Sequence, residues 1–302
     1  MASWRPATQQ QYGTYVQKWL LFCNKKQIDP LESDVNSVLA FLSDLYSCGL
    51  HYSALNTARS AISSVFSVTK DMQIGNSPLI RRFMRGVFNK RPSLPRYNCT
   101  WDVGKVLSFI TSWPENHVLD LKRLSMKTAI LLLLVMGQRC QTVHLIDIRN
   151  LELGENYLKI RIAELVKQSR PNRGVPEFYI ESFKSNSQVC VVQTIRCYLD
   201  KTRHLRADTC HQLFVATQKP HQAVSRATIS RWVKQLLVCA GIDMTIFKPH
   251  STRSASTSKA ATKVSLDTVL RTAGWRSDCT FRKFYNRPVT NDGSYSRAVL
   301  QL

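Results

Sequence analysis

The run AILLLLVM, residues 129–136, constrains the fold of this chain more than any other stretch. It carries no polar side chain, so every side of the segment must be covered by other elements. It is far short of the ~20 apolar residues that span a bilayer. The run therefore reads as part of a long buried helix, from about Leu124 to Leu145. The chain is long enough for such a core: its 302 residues are 44% hydrophobic and 21% charged, which fits one large domain or two ordinary ones. No secretory leader is visible.

The segments on either side have different periods. Before the run, four apolar stripes recur at helical spacing. The first holds Tyr12, Tyr15, Val16, Trp19, Leu20 and Cys23, and the second holds Val35, Val38, Leu39, Leu42 and Leu45, ending near Gly49. The third holds Leu55, Ala58, Ile62, Val65 and Phe66. The fourth begins at NSPLIRRF, with Ser77 as N-cap and Pro78 at the first helical position. Its apolar face is Leu79, Ile80, Phe83 and Val87, leaving Arg81, Arg82 and Arg85 largely off that face. The Pro-rich, charged stretch NKRPSLPRYNCTWD (residues 89–102) then marks a linker, and Thr100 is placed to cap a new helix. After the run, NLEL, YLKIRIAELV and PEFYIESF carry β-formers separated by turn signals, which predicts a three-stranded antiparallel sheet. Helices resume near Val191 and at SRATISRWVKQLLVCAGI, with Ser225 as N-cap and Gly241 as a stop. The expected fold is mainly α with a small antiparallel sheet. It has a helical domain at residues 1–90, a linker at 91–100 and an α+β domain at 101–302.

The charge narrows the partner. The chain carries 42 Lys and Arg against 20 Asp and Glu, a net +22. Residues 1–95 hold 11 against 5 and the remainder holds 31 against 15, so the excess is not a basic tail. A folded protein with this self-repulsion calls for a polyanion. Nucleic acid is the first candidate and an anionic membrane surface the second; a highly soluble basic protein is the bland reading. No amphipathic lysine-rich terminal helix supports the membrane. The nine cysteines form no C-x-x-C pair, and Cys23, Cys48, Cys140, Cys197 and Cys239 sit among apolar residues. They read as small core residues in a reducing compartment. His204, Cys210 and His211 fit no common zinc spacing, so no metal site and no cofactor is expected.

Six residues carry groups suited to phosphoryl transfer on a nucleic-acid backbone. Arg139, just after Gly137, and Arg253 offer planar forks for non-bridging phosphate oxygens. His250, a helical turn before Arg253, titrates near neutrality. Lys167, at a strand-to-turn boundary, reaches a leaving oxygen. Trp275 supplies an indole N–H, and Tyr285 a phenol nucleophile. Taken singly, each also fits a solvated, capping or packing role.

Their order and spacing resemble the tyrosine recombinases of the phage-integrase superfamily, above all those of eukaryotic mobile elements of the DIRS, Ngaro and Crypton kinds. The resemblance covers nearly the whole chain. The family's G-x-R box matches Gly137 and Arg139, its hairpin lysine Lys167, and its H-x-x-R box His250 and Arg253. Its Gly-His/Trp position matches Gly274 and Trp275, and its nucleophile Tyr285. Thr142 stands where the family usually has an acidic residue. Tyr285 lies one residue further from Trp275 than the commonest spacing, which puts Phe284 at the usual nucleophile position and leaves Tyr295 as a second candidate. The resemblance implies a core-binding (SAM-like) DNA clamp followed by a catalytic domain. It implies DNA integration and strand exchange through a 3′-phosphotyrosine link, without a metal or small-molecule cofactor. It also implies double-stranded DNA as partner, a dimer on one site, a tetramer in synapsis and a nuclear location. Arg81, Arg82 and Arg85, and a second set of Arg226, Arg231 and Lys234, are the candidate DNA contacts; both sets also fit solvated faces. The alternatives are a recombinase-derived DNA-binding protein without activity and a type IB topoisomerase.

Overall fold

The computed structural model describes residues 4–32, 34–69, 74–93, 97–166, 169 and 174–289. The Phe66 side chain, Lys167 and Tyr295 lie outside the described residues. The chain divides into two compact units, Met1–Pro95 and Arg96–Leu302.

The first unit is the expected set of four helices: α1 (Pro6–Lys26), α2 (Val35–Ser47), α3 (Tyr52–Thr69) and α4 (Pro78–Lys90). Asp34 caps α2 by accepting from the Ser37 N–H, and Gly49, at φ +89, follows its end. Trp19 and Cys23 are buried as predicted, but Leu20 is exposed and Phe22 takes a core place, stacked on Trp19 and tilted against Phe41. The seam of α4 is Ile80, Met84 and Val87, an i, i+4, i+7 row. Ile80 and Val87 are buried as predicted and Phe83 is partly so, but Leu79 is exposed and Met84 takes its place in the seam. Ser77 occupies the N-cap position without a side-chain capping bond, and Pro78 starts the helix.

In the second unit α5 spans Val103–Thr111, α6 Leu121–Met136 and α7 Cys140–His144. The strands β1 (Leu151–Leu153), β2 (Tyr157–Arg161) and β3 (Glu177–Glu181) follow. After them come α8 (Val191–Thr202), α9 (Arg226–Cys239), α10 (Ser251–Ala261), α11 (Leu266–Ala273) and α12 (Asp278–Phe284). The sheet is antiparallel in the order β1-β2-β3, with Leu158 opposite Ile180 and Ile160 opposite Phe178. Ser225 caps α9 through the Thr228 N–H, as expected.

Three local expectations are corrected. Asp102, not Thr100, caps α5 by accepting from the Gly104 N–H. Thr100 is instead buried, and its N–H donates to the Pro288 carbonyl. The long helix expected over 124–145 is two helices, because Gly137 adopts φ +57 and ends α6. A side chain at Gly137 would also crowd Thr257, whose Cγ2 lies 3.2 Å from where the Cβ would stand. Of the cysteines read as core residues, Cys48 and Cys239 are exposed and Cys140 and Cys197 half-buried; all nine are free thiols.

The apolar run is buried as expected except at Val135, which is 43% exposed, and α8, α9 and α10 pack around α6. Lys127 sits in this buried helix, fully covered, with Nζ donating to Gln188 Oε1 at 3.0 Å. Burial, opposed only weakly by Cys197, lowers its pKa to about 8. The unfolded chain therefore binds more protons, and stability rises with pH between about 8 and the ordinary lysine value near 10.5. Lys127→Met should raise stability at neutral pH by about 2 kcal/mol and remove that alkaline rise. Melting temperatures of both proteins between pH 7 and 10.5 check this.

Among the described residues no helix is long and apolar enough to cross a membrane. No group of three potential metal ligands comes together among them either, so His204, Cys210 and His211 do not form one.

Candidate active site

Three short helices of the second unit gather the chemistry. His250 occupies the N-cap position of α10, directly after Pro249. Arg253, in the first turn, points inward and is only 1% exposed. At the end of α11, Gly274 takes φ +75 and turns the chain, so that Trp275 drops into a cluster with Val269, Ala273 and Phe281. α12 then returns the chain and ends at Phe284, which leaves Tyr285 at its C-cap.

The four side chains meet. The Trp275 and Tyr285 rings lie 4.6 Å apart between centroids at 44°. The Arg253 guanidinium covers the indole at 4.4 Å and lies 5.4 Å from the phenol ring. The Tyr285 hydroxyl is 3.4 Å from His250 Nε2. That bond is long, as catalytic hydrogen bonds often are before substrate arrives. Phe284, the residue at the commoner family spacing, is 52% exposed and turned away from this group.

The electrostatics are unbalanced. Arg253 donates Nη2 to the Ala273 carbonyl at 2.8 Å, while its Nε and Nη1 are buried without a hydrogen-bond partner. The Trp275 indole N–H is buried and unpartnered as well. Among the described residues no carboxylate forms an ion pair with Arg253. Burial, reinforced by the like charge of Arg139 and opposed by Tyr285, pulls the Arg253 pKa down to about 9. Arg139 stands at the N-cap of α7, half-buried, with its side chain free of a capping bond. Two neighbouring guanidiniums and three idle donors are costly in a dry site unless an anion completes them. An oxyanion with several acceptor oxygens fits that need.

Residues 110–291 match the family described as "Phage integrase family". The chain belongs to this family. Solved structures of its recombinases share the fold. XerH site-specific recombinase bound to difH substrate in a pre-cleavage complex superimposes with a TM-score of 0.62 at 14% identity, covering 96% of this chain and 79% of that one. The Tn1549 transposon integrase in complex with transposon right end DNA gives 0.57 at 14%, covering 89% and 85%. A lambda integrase dimer bound to a COC′ core site gives 0.54 at 15%, covering 96% and 74%. No curated protein sequence matches the chain.

In this phage-integrase chain Thr142, three residues after Arg139, makes a neutral contact. The buried Thr142 hydroxyl donates to Gln138 Oε1 at 3.4 Å, and Gln138 Nε2 donates to the Thr272 carbonyl at 2.8 Å. The start of α7 is thereby tied to the end of α11, two residues before Gly274. The sequence reading missed Gln138, although an amide beside the Arg box was visible in it. It also missed Ser254 and Ser258, which bond the Tyr285 backbone. Of the candidate DNA contacts, Arg81, Arg82 and Arg85 are exposed on α4, and Arg226, Arg231 and Lys234 are exposed on α9. Arg226 stands beside α7: burial lowers the His144 pKa, a hydrogen bond with the Val224 backbone opposes this, and the Arg226 charge adds to the lowering. Lys167 falls outside the described residues and is not placed.

Proposed function

We propose that this chain is a site-specific DNA recombinase of a mobile element, of the DIRS, Ngaro and Crypton kind, that cuts and rejoins duplex DNA through a 3′-phosphotyrosine intermediate. One observation carries the reading: Arg253 and Trp275, whose buried donors are idle, both pack against the Tyr285 ring, and its hydroxyl faces His250. The difH substrate bound by XerH and the transposon right end DNA bound by the Tn1549 integrase support DNA as the substrate.

In this reading the Tyr285 oxygen attacks the scissile phosphorus as its proton passes toward His250. Arg139, Arg253, His250 and Trp275 hold the non-bridging oxygens, where negative charge builds in the transition state. The P–O5′ bond breaks, and Lys167 gives a proton to the departing 5′-oxygen. A phosphodiester is exchanged for a phosphotyrosine ester, so a 5′-hydroxyl from either duplex can reverse the step. Fixed arginines supply the charge stabilisation that a metal supplies elsewhere. Two protomers on each site and four in synapsis complete strand exchange, and the protein works in the nucleus.

The test is a nicked suicide duplex, from which the cleaved end diffuses away. A covalent protein–DNA adduct that resists detergent supports the reading. DNA binding with no adduct would indicate a non-catalytic derivative. Relaxation of supercoiled plasmid without recombinant product would indicate a topoisomerase. Affinity should fall steeply with salt, with a log–log slope of about −0.9 per phosphate contacted. Replacing Arg81, Arg82 and Arg85 together by Ala should make that slope shallower by two to three, on the order of one per contact. Anisotropy titrations between low and physiological salt check this; an unchanged slope removes α4 from the interface.

A further inference from the structure

α10 is rich in hydroxyls, and they do not behave alike. Thr252 and Thr257 bond back to carbonyls of their own turn, those of Pro249 and Arg253, both at 2.7 Å. This is the usual fate of a helical hydroxyl. Ser254 and Ser258, one turn apart, instead both donate to the Tyr285 carbonyl of another helix, at 2.9 and 2.6 Å. That carbonyl ends α12 and would otherwise lack a partner; here both of its lone pairs are taken. Both serines are buried, at 2% and 6% exposure. The segment is then held from further sides. The Arg287 N–H donates to Ser258 Oγ at 3.0 Å, and its guanidinium reaches the Tyr97 and Phe284 carbonyls. The Thr100 N–H holds the Pro288 carbonyl at 2.8 Å.

We infer that Ser254 and Ser258 are positioning residues that latch the backbone of Tyr285 to the helix bearing Arg253. The inference rests on the reading of Tyr285 as nucleophile. α10 presents the guanidinium from Arg253 and the latch from the next residue and its i+4 neighbour. The distance between phenol and anion site is therefore set by one helix, α10, and not by the end of α12 alone, a helix of seven residues. A nucleophile displaced by about 1 Å loses on the order of 10²-fold in rate.

The test compares single-turnover adduct formation on the nicked duplex at saturating DNA, with the DNA Kd measured alongside. The variant S254A/S258A should slow adduct formation by about 10- to 100-fold at unchanged Kd. Ser254→Thr, which keeps the hydroxyl, should stay within a few-fold of wild type, whereas Ser254→Ala should not. Wild-type rates in the double variant overturn the latch, and so do equal losses in the Ala and Thr variants. Should the double variant not fold, the Ser254→Ala and Ser254→Thr pair decides. A wild-type protein that forms no adduct would instead refute the proposed function. The latch is then read from fluorotyrosine at position 285: one sharp fluorine resonance in the parent and broadened or multiple resonances in the Ala variants support it, and identical spectra overturn it.

Discussion

Tyr285→Phe should bind duplex DNA as the parent does and yield no covalent adduct. The substitution removes one oxygen and leaves the ring. The tilted ring contact with Trp275 at 4.6 Å and the contact with the Arg253 guanidinium at 5.4 Å depend on the ring and survive. The hydroxyl makes one long bond to His250 at 3.4 Å, so its loss should cost no more than about 1 kcal/mol of stability. Chemistry is different, because Tyr285 carries the phenol in contact with Trp275 and Arg253. Denaturing gels after incubation with the nicked duplex, together with anisotropy for binding, make the comparison. An adduct at full yield would move the nucleophile elsewhere, and Tyr295 would be the next residue to replace.

Arg253→Lys should lower single-turnover cleavage by on the order of 10²- to 10³-fold, although the formal charge is unchanged. The guanidinium does two things at once. Nη2 anchors on the Ala273 carbonyl at 2.8 Å, while Nε and Nη1 remain free for a ligand. An ammonium has no planar fork. If it reaches the carbonyl it cannot present two parallel N–H groups to an anion. It is also more strongly hydrated, so it is held less well under an indole at this depth. Because the charge is kept, the salt slope of DNA binding should not change. Cleavage within a few-fold of the parent would contradict the assigned role of Arg253.

Much of the fold can be read without coordinates because it is written in local period. The four stripes of the first unit, the central apolar run and the three β-rich segments each signal how one element is covered. Errors arose where two neighbouring residues are both apolar and the period cannot choose between them. Leu79 and Ile80 are such a pair, and only Ile80 is inside. One cap failed for a related reason. Thr100 and Asp102 are both competent N-caps, and burial of Thr100 beneath Pro288 left the role to Asp102. The break between α6 and α7 was signalled by Gly137, but the sequence does not say whether a glycine in an apolar helix is a stop or a close contact; here it is both.

From the sequence alone came the four helices of the first unit, the three strands, the stops at Gly49 and Gly241 and the residues able to carry phosphoryl chemistry. Each follows from side-chain type and near-neighbour spacing. The tertiary structure alone decided that Tyr285 lies against Trp275 and Arg253, that Arg253 is buried with donors unused, and that Gln138 bonds to the Thr272 carbonyl and Ser254 and Ser258 to the Tyr285 carbonyl. These outcomes join positions up to 134 residues apart. They depend on how whole helices cross and pack, and a local repeat carries no information about that.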